Sequence, residues 1–167
     1  MHNKVVTTLA RSFNELGLPA LRFNFRGVGA SAGVHDDGRG EVADALAVVA
    51  SGRARWPEAN LWLAGFSFGG VVALRAASRM SSVKRLVTIA PALERYFQQP
   101  VDVPLPPCPW LLVQGDADDV LDATRVLALA NALSTPPTIV TLAGAGHFFH
   151  GRLNDLRDAV LALGAPD

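Results

Sequence analysis

The sequence predicts an α/β fold in which a mainly parallel sheet is covered by helices on both faces. Three observations carry that reading. Short apolar runs alternate along the chain with amphipathic stretches of helical period, as repeated strand–helix units require. The runs at 61–66, 85–90 and 110–114 are short and mostly apolar rather than strictly alternating, as in strands buried on both faces. No repeat, low-complexity tract or linker divides residues 1–167, so all of them are expected to form one domain.

Taken in order, Val5, Val6, Leu9, Ala10, Phe13 and Leu16 recur on one helical face, and Gly17 stands where a left-handed cap would close the helix. Leu21, Phe23 and Phe25 alternate with Arg22 and Asn24, which predicts a strand, followed by a glycine-rich connection from Gly27 to Gly40. A helix from Glu41 to about Ala50 comes next. Leu61 to Phe66 predicts a strand running through a sharp turn into a helix over Val71 to Met80. Arg85 to Ala90, Trp110 to Gln114 and Thr138 to Leu142 are three more expected strands, with a helix near Leu121 to Leu133 between the last two. Leu153 to Leu163 closes the chain as a helix.

Composition narrows the partners. Fifteen Lys and Arg balance fifteen Asp and Glu, so no net field favours nucleic acid or an anionic membrane. No apolar run is long and unbroken enough to span a bilayer, and His2, Asn3 and Lys4 lead into an amphipathic pattern rather than a signal peptide. The single cysteine, Cys108, can form no internal disulfide, which fits a cytoplasmic location.

The chemistry is concentrated at three strand ends. Gly65-Phe66-Ser67-Phe68-Gly69-Gly70 matches G-x-S-x-G, with a strand before it and a helix after it. That geometry lifts the Ser67 hydroxyl above the sheet and turns the Phe68 N–H toward a developing oxyanion. Its flanking glycines are expected to be forced by close contacts. A serine needs a base, and the base needs an acid, because a free hydroxyl is a poor nucleophile at neutral pH. Downstream, one strand ends in Gln114-Gly115-Asp116-Ala117-Asp118-Asp119, and the last strand ends in Gly144-Ala-Gly146-His147-Phe148-Phe149-His150. His147 is the expected base, with His150 as fallback. His35 precedes the nucleophile and stands as a residue of the site mouth at most. The carboxylate cluster lacks the offsets of a calcium loop, so no metal is expected.

These residues resemble the α/β-hydrolase superfamily, and in particular small lidless bacterial hydrolases with an R-F-N-F-R-G-V-G-x-S stretch. Here that stretch is Arg22 to Ser31, and the likeness continues through Leu61 to Gly69, the acid turn and Gly146 to Phe149. The resemblance selects Asp118 as the acid, in Gly115-x-x-Asp118-x-Val120, with Asp116 as runner-up. It implies a cofactor-independent serine hydrolase acting on small-molecule carboxylic esters. Phe66, Phe68, Phe148 and Phe149 would form its apolar surround. It also implies no large cap, since only Pro91 to Pro109 separates two central strands. In the family a further strand lies between those matching Leu21–Phe25 and Leu61–Phe66, followed by a loop that gives a second oxyanion donor. The sequence therefore predicts an α/β-hydrolase fold lacking its N-terminal strands, with a gap in its sheet. Weak activity and self-association through unpaired strand edges are expected to follow.

Two rivals stand beside this reading. Gly27-x-Gly29-x-x-Ala32 after a strand echoes a dinucleotide fingerprint, but the polar segment to Gly40 puts no helix N-terminus within the motif. A hydrolase fold without catalysis, serving as a binding module, is the other.

Overall fold

The computed structural model describes residues 3–165; His2, noted above, lies outside them. Four strands, β1 (Leu61–Phe66), β2 (Val83–Ile89), β3 (Trp110–Gly115) and β4 (Thr138–Leu142), form one sheet in the order β1-β2-β3-β4, all parallel. Six helices accompany them: α1 (Lys4–Glu15), α2 (Arg39–Arg55), α3 (Phe68–Ala77), α4 (Leu93–Tyr96), α5 (Ala123–Asn131) and α6 (Leu153–Leu161).

Sequential strand order combined with right-handed crossovers forces every connecting helix onto the same face of the sheet. Accordingly α3, α4 and α5 share one core with Leu86 of β2 and Leu112 of β3. The opposite face can be covered only by helices outside the strand run. Here α1 and α6 do so, through Val5, Leu9, Phe13, Leu156 and Val160 against Val87, Ile89, Leu111 and Val113. Neighbouring residues of β3 thus face opposite cores, as the two-residue period of a strand dictates. Asn3 caps α1 by accepting from the N–H groups of Val5 and Val6, at 2.9 and 3.2 Å.

The helices lie close to their expected places. Two boundaries differ: α2 runs from Arg39 to Arg55, beyond the expected span, and α3 begins at Phe68, directly after the serine. Between β2 and β3 lie only the single turn α4 and a 3-10 turn at Pro100–Asp102, with no room for a cap.

One expected strand is absent. Leu21 to Phe25 runs without regular structure, and no strand of the sheet pairs with it. Alternation gave the segment a strand's pattern, but a strand also needs a neighbour to take its main-chain groups. What faces it instead is a cleft of about 460 Å³, whose other wall includes β1. Leu21 and Phe23 line this cleft, as do Leu61 and Leu63 of β1 and Val49 of α2. The cleft explains why β1 is only partly buried along its length while β3 is buried throughout.

Candidate active site

The site stands at the carboxyl ends of β1, β3 and β4, where parallel sheets present their loops. At the end of β1 the chain reverses so tightly that Ser67 adopts φ 54° and ψ −119°. A non-glycine residue holds that conformation only where its surroundings over-determine it. Here the Ser67 N–H donates to the Ile89 carbonyl at 2.9 Å, and its own carbonyl accepts from the N–H groups of Gly70 and Ala92.

The glycines around it differ in necessity. A Cβ on Gly65 would fall 1.9 Å from the Gly69 carbonyl oxygen, so the position admits no side chain. A Cβ on Gly69 would meet nothing nearer than the Phe25 ring at 3.8 Å, an ordinary contact. Crowding at the second site falls on Gly70, which backs onto Pro91.

The acid turn and the histidine turn are laced together by the three aspartates, each in a different way. Asp116 Oδ1 accepts from the Gly144 N–H at 2.6 Å, and Asp119 Oδ1 from the His147 N–H at 3.4 Å. Asp118 alone turns to the imidazole: His147 Nδ1 lies 2.9 Å from its Oδ2. The other ring nitrogen, Nε2, lies 3.0 Å from Ser67 Oγ. Three side chains distant in sequence thus form one unbroken chain of hydrogen bonds, with His147 only 2 % exposed. Burial pushes the Asp118 pKa up. The hydrogen bond to His147, the N–H groups of Leu121 and Val120 and the amide of Gln114 outweigh that effect, holding the carboxyl below its ordinary range.

Phe68 is the first residue of α3, where an N–H has no acceptor within the helix and the helix dipole presents its positive end. The Phe66 ring lies 4.8 Å from that of His147 and 5.8 Å from that of Phe148, which is 43 % exposed. Phe149 corrects the expected apolar surround. It is fully buried in the core beneath α1 and α6, with φ 52° turning its side chain away from its neighbours. His150 contacts Phe148 and stays outside the hydrogen-bonded chain. His35 packs its ring against Phe68 and sets its Nδ1 3.0 Å from buried Glu41, beside the site rather than in it. The Gly27-x-Gly29 segment remains loop until α2 begins at Arg39, so no helix starts inside that motif. Among the described residues, no group of three or more His, Cys, Asp or Glu side chains is placed to hold a metal ion, and no helix is long and apolar enough to cross a membrane.

Two contributors were not legible in the sequence. Gln114, fully buried, donates to Asp118 Oδ2 at 2.9 Å; its one signal was a polar residue closing an apolar run. Arg26 clamps Asp44 of α2 at 2.7 Å, fixing the entry of the glycine-rich loop, and no local pattern marks that pair.

Comparison with known proteins agrees with this architecture. An α/β serine hydrolase homologue from Coxiella burnetii superimposes with a TM-score of 0.90 at 44 % identity, over 98 % of this chain and 77 % of that one. A lidless α/β serine hydrolase from Xanthomonas campestris gives 0.89 at 47 %, over 97 % and 72 %. An uncharacterized protein of Rickettsia prowazekii is 34 % identical over 96 % of this chain and 70 % of its own length. The fold is that of the α/β serine hydrolases. A family model described as serine aminopeptidase, S33, matches residues 1–108, and the chain belongs to that family of hydrolases.

Proposed function

We propose that this chain cleaves small carboxylic esters through an acyl-enzyme on Ser67. The observation that carries the reading is the continuous contact from Ser67 Oγ through His147 to Asp118, at 3.0 and 2.9 Å. In the first step His147 Nε2 takes the Ser67 proton as Oγ attacks the ester carbonyl, forming a tetrahedral oxyanion. Asp118, accepting from Nδ1–H, fixes the tautomer and supports the imidazolium. The Phe68 N–H donates to the oxyanion. His147 then gives its proton to the alkoxide, and the alcohol leaves. Water repeats the sequence on the acyl-enzyme, returning Ser67 and releasing the acid.

Phe66 and Phe148, apolar and beside the imidazole, favour uncharged acyl groups. No step requires a cofactor. The S33 description favours one second reading, hydrolysis of an aminoacyl amide by the same residues. Assaying p-nitrophenyl esters and aminoacyl anilides side by side separates the two. A fluorophosphonate probe tests the shared mechanism: labelling of the chain, abolished by Ser67→Ala, is expected. An unlabelled chain would favour a binding module without catalysis.

A further inference from the structure

We infer that Gln114 is a positioning residue for the acid, holding the Asp118 carboxylate in the plane that meets His147. The inference rests on the catalytic reading of Ser67, His147 and Asp118 above, and concerns a residue that takes no part in proton transfer. Gln114 is the only uncharged amide side chain in β3, a strand whose six residues are all buried. Its Nε2 donates to Asp118 Oδ2 at 2.9 Å and to the Gly115 carbonyl at 3.1 Å. Both partners are pure acceptors, so the amide can point only one way: turning it over would set its oxygen against a carboxylate and a carbonyl.

That orientation has a cost. The other end of the amide, Oε1, is buried with no hydrogen-bond partner. An unpaired buried acceptor disfavours the folded state, whereas an apolar side chain of the same shape would leave none. A polar group kept in an apolar strand against that penalty marks a place where folding preference yields to another demand.

The demand is visible at the carboxylate. Oδ1 accepts from the N–H groups of Val120 and Leu121, at 2.9 and 2.8 Å, and Oδ2 from His147 and Gln114. Turning the carboxylate about its Cβ–Cγ bond moves both oxygens together, so donors at both ends resist it: two backbone N–H groups at Oδ1 and the Gln114 amide at Oδ2. Gln114, on the rigid strand, supplies the stop for Oδ2. Hydrogen bonds that orient the ligands of metal sites change activity about 10- to 100-fold when removed, and an effect of that order is expected for an acid oriented the same way.

The test is Gln114→Met in the full chain, which keeps length and volume and removes the donor. With the ester substrate, kcat is expected to fall about 10- to 100-fold with KM unchanged. The downfield proton resonance of the Nδ1–H between His147 and Asp118, identified by its loss in His147→Ala, should move or broaden. A wild-type kcat, or an unmoved resonance, overturns the inference. Should Met lower stability, titration of Ser67 with the fluorophosphonate normalises kcat to competent sites, and the resonance is read on folded protein. If the natural chain neither labels nor turns over, the catalytic reading fails, while the resonance still decides whether Gln114 orients the acid.

Discussion

Ser67 sits in a backbone conformation that serine rarely adopts, and the cost is met by three main-chain hydrogen bonds and by glycines that let two segments touch. Gly65→Ala is therefore expected to abolish folding or lower stability by several kcal/mol, since its Cβ has no space; Gly69→Ala, in a helical turn with room, should leave the unfolding midpoint level or raise it. Equal effects of the two, measured by thermal unfolding, would contradict the contact geometry. At the acid, Asp118→Asn preserves shape while removing charge, and a loss of about 10⁴ in kcat is expected with KM little changed. Its sign in stability also follows. A carboxyl held below its ordinary range stabilises the fold fully above that range and loses the contribution as pH falls through the lowered folded value. Denaturant midpoints of natural and Asp118→Asn chains should thus converge on acidification, and divergence would refute the network. Motif, chain order and strand ends mark Ser67 and His147 in the sequence, while Asp118 stood out from Asp116 only by resemblance to the family's acid turn; the structure brings these three side chains into contact. Gln114 could not be found in the sequence, because which buried amide faces which carboxylate is settled only when β3 meets its own turn.

At the level of elements, the apolar period located all four strands of the sheet and every helix longer than one turn. What period alone could not supply was the pairing partner of Leu21–Phe25, and with it the difference between a strand and an extended segment. The same distinction between pattern and contact governs the α1–α6 interface. Arg157 Nε lies 3.1 Å from Glu15 Oε1, but both side chains are about two-fifths exposed, so solvent screens the pair. Leu156, one residue earlier, is fully buried beneath α1. Arg157→Ala should barely move the unfolding midpoint, whereas Leu156→Ala should cost about 2–5 kcal/mol. Denaturant unfolding of the two variants gives the comparison, and a reversed order would show that charge rather than burial joins these helices.

Across the whole molecule, crossover handedness explains why α3, α4 and α5 share one face and why the first and last helices must cover the other. It does not cover the free side of β1, which opens on an apolar cleft of about 460 Å³ reaching Ser67. Uncovered strand edges recruit other chains. Light scattering is expected to show mass rising with concentration, with an apolar dye bound in proportion; a monomer at every concentration that binds no dye would mean the edge is harmless. Leu21, Phe23 and Phe25, with Val48 and Val49 of α2, make the wall on the other side. Ser67 therefore lies where a cleft, a helix N-terminus and two turns from distant parts of the chain converge.

This convergence is expected to activate one serine toward acyl transfer. Rapid mixing of the chain with p-nitrophenyl acetate measures it most directly. A burst of nitrophenolate approaching one equivalent per competent site, followed by slower turnover and absent from Ser67→Ala, is the expected result. Release that is linear from the first moment and unchanged by Ser67→Ala would contradict it.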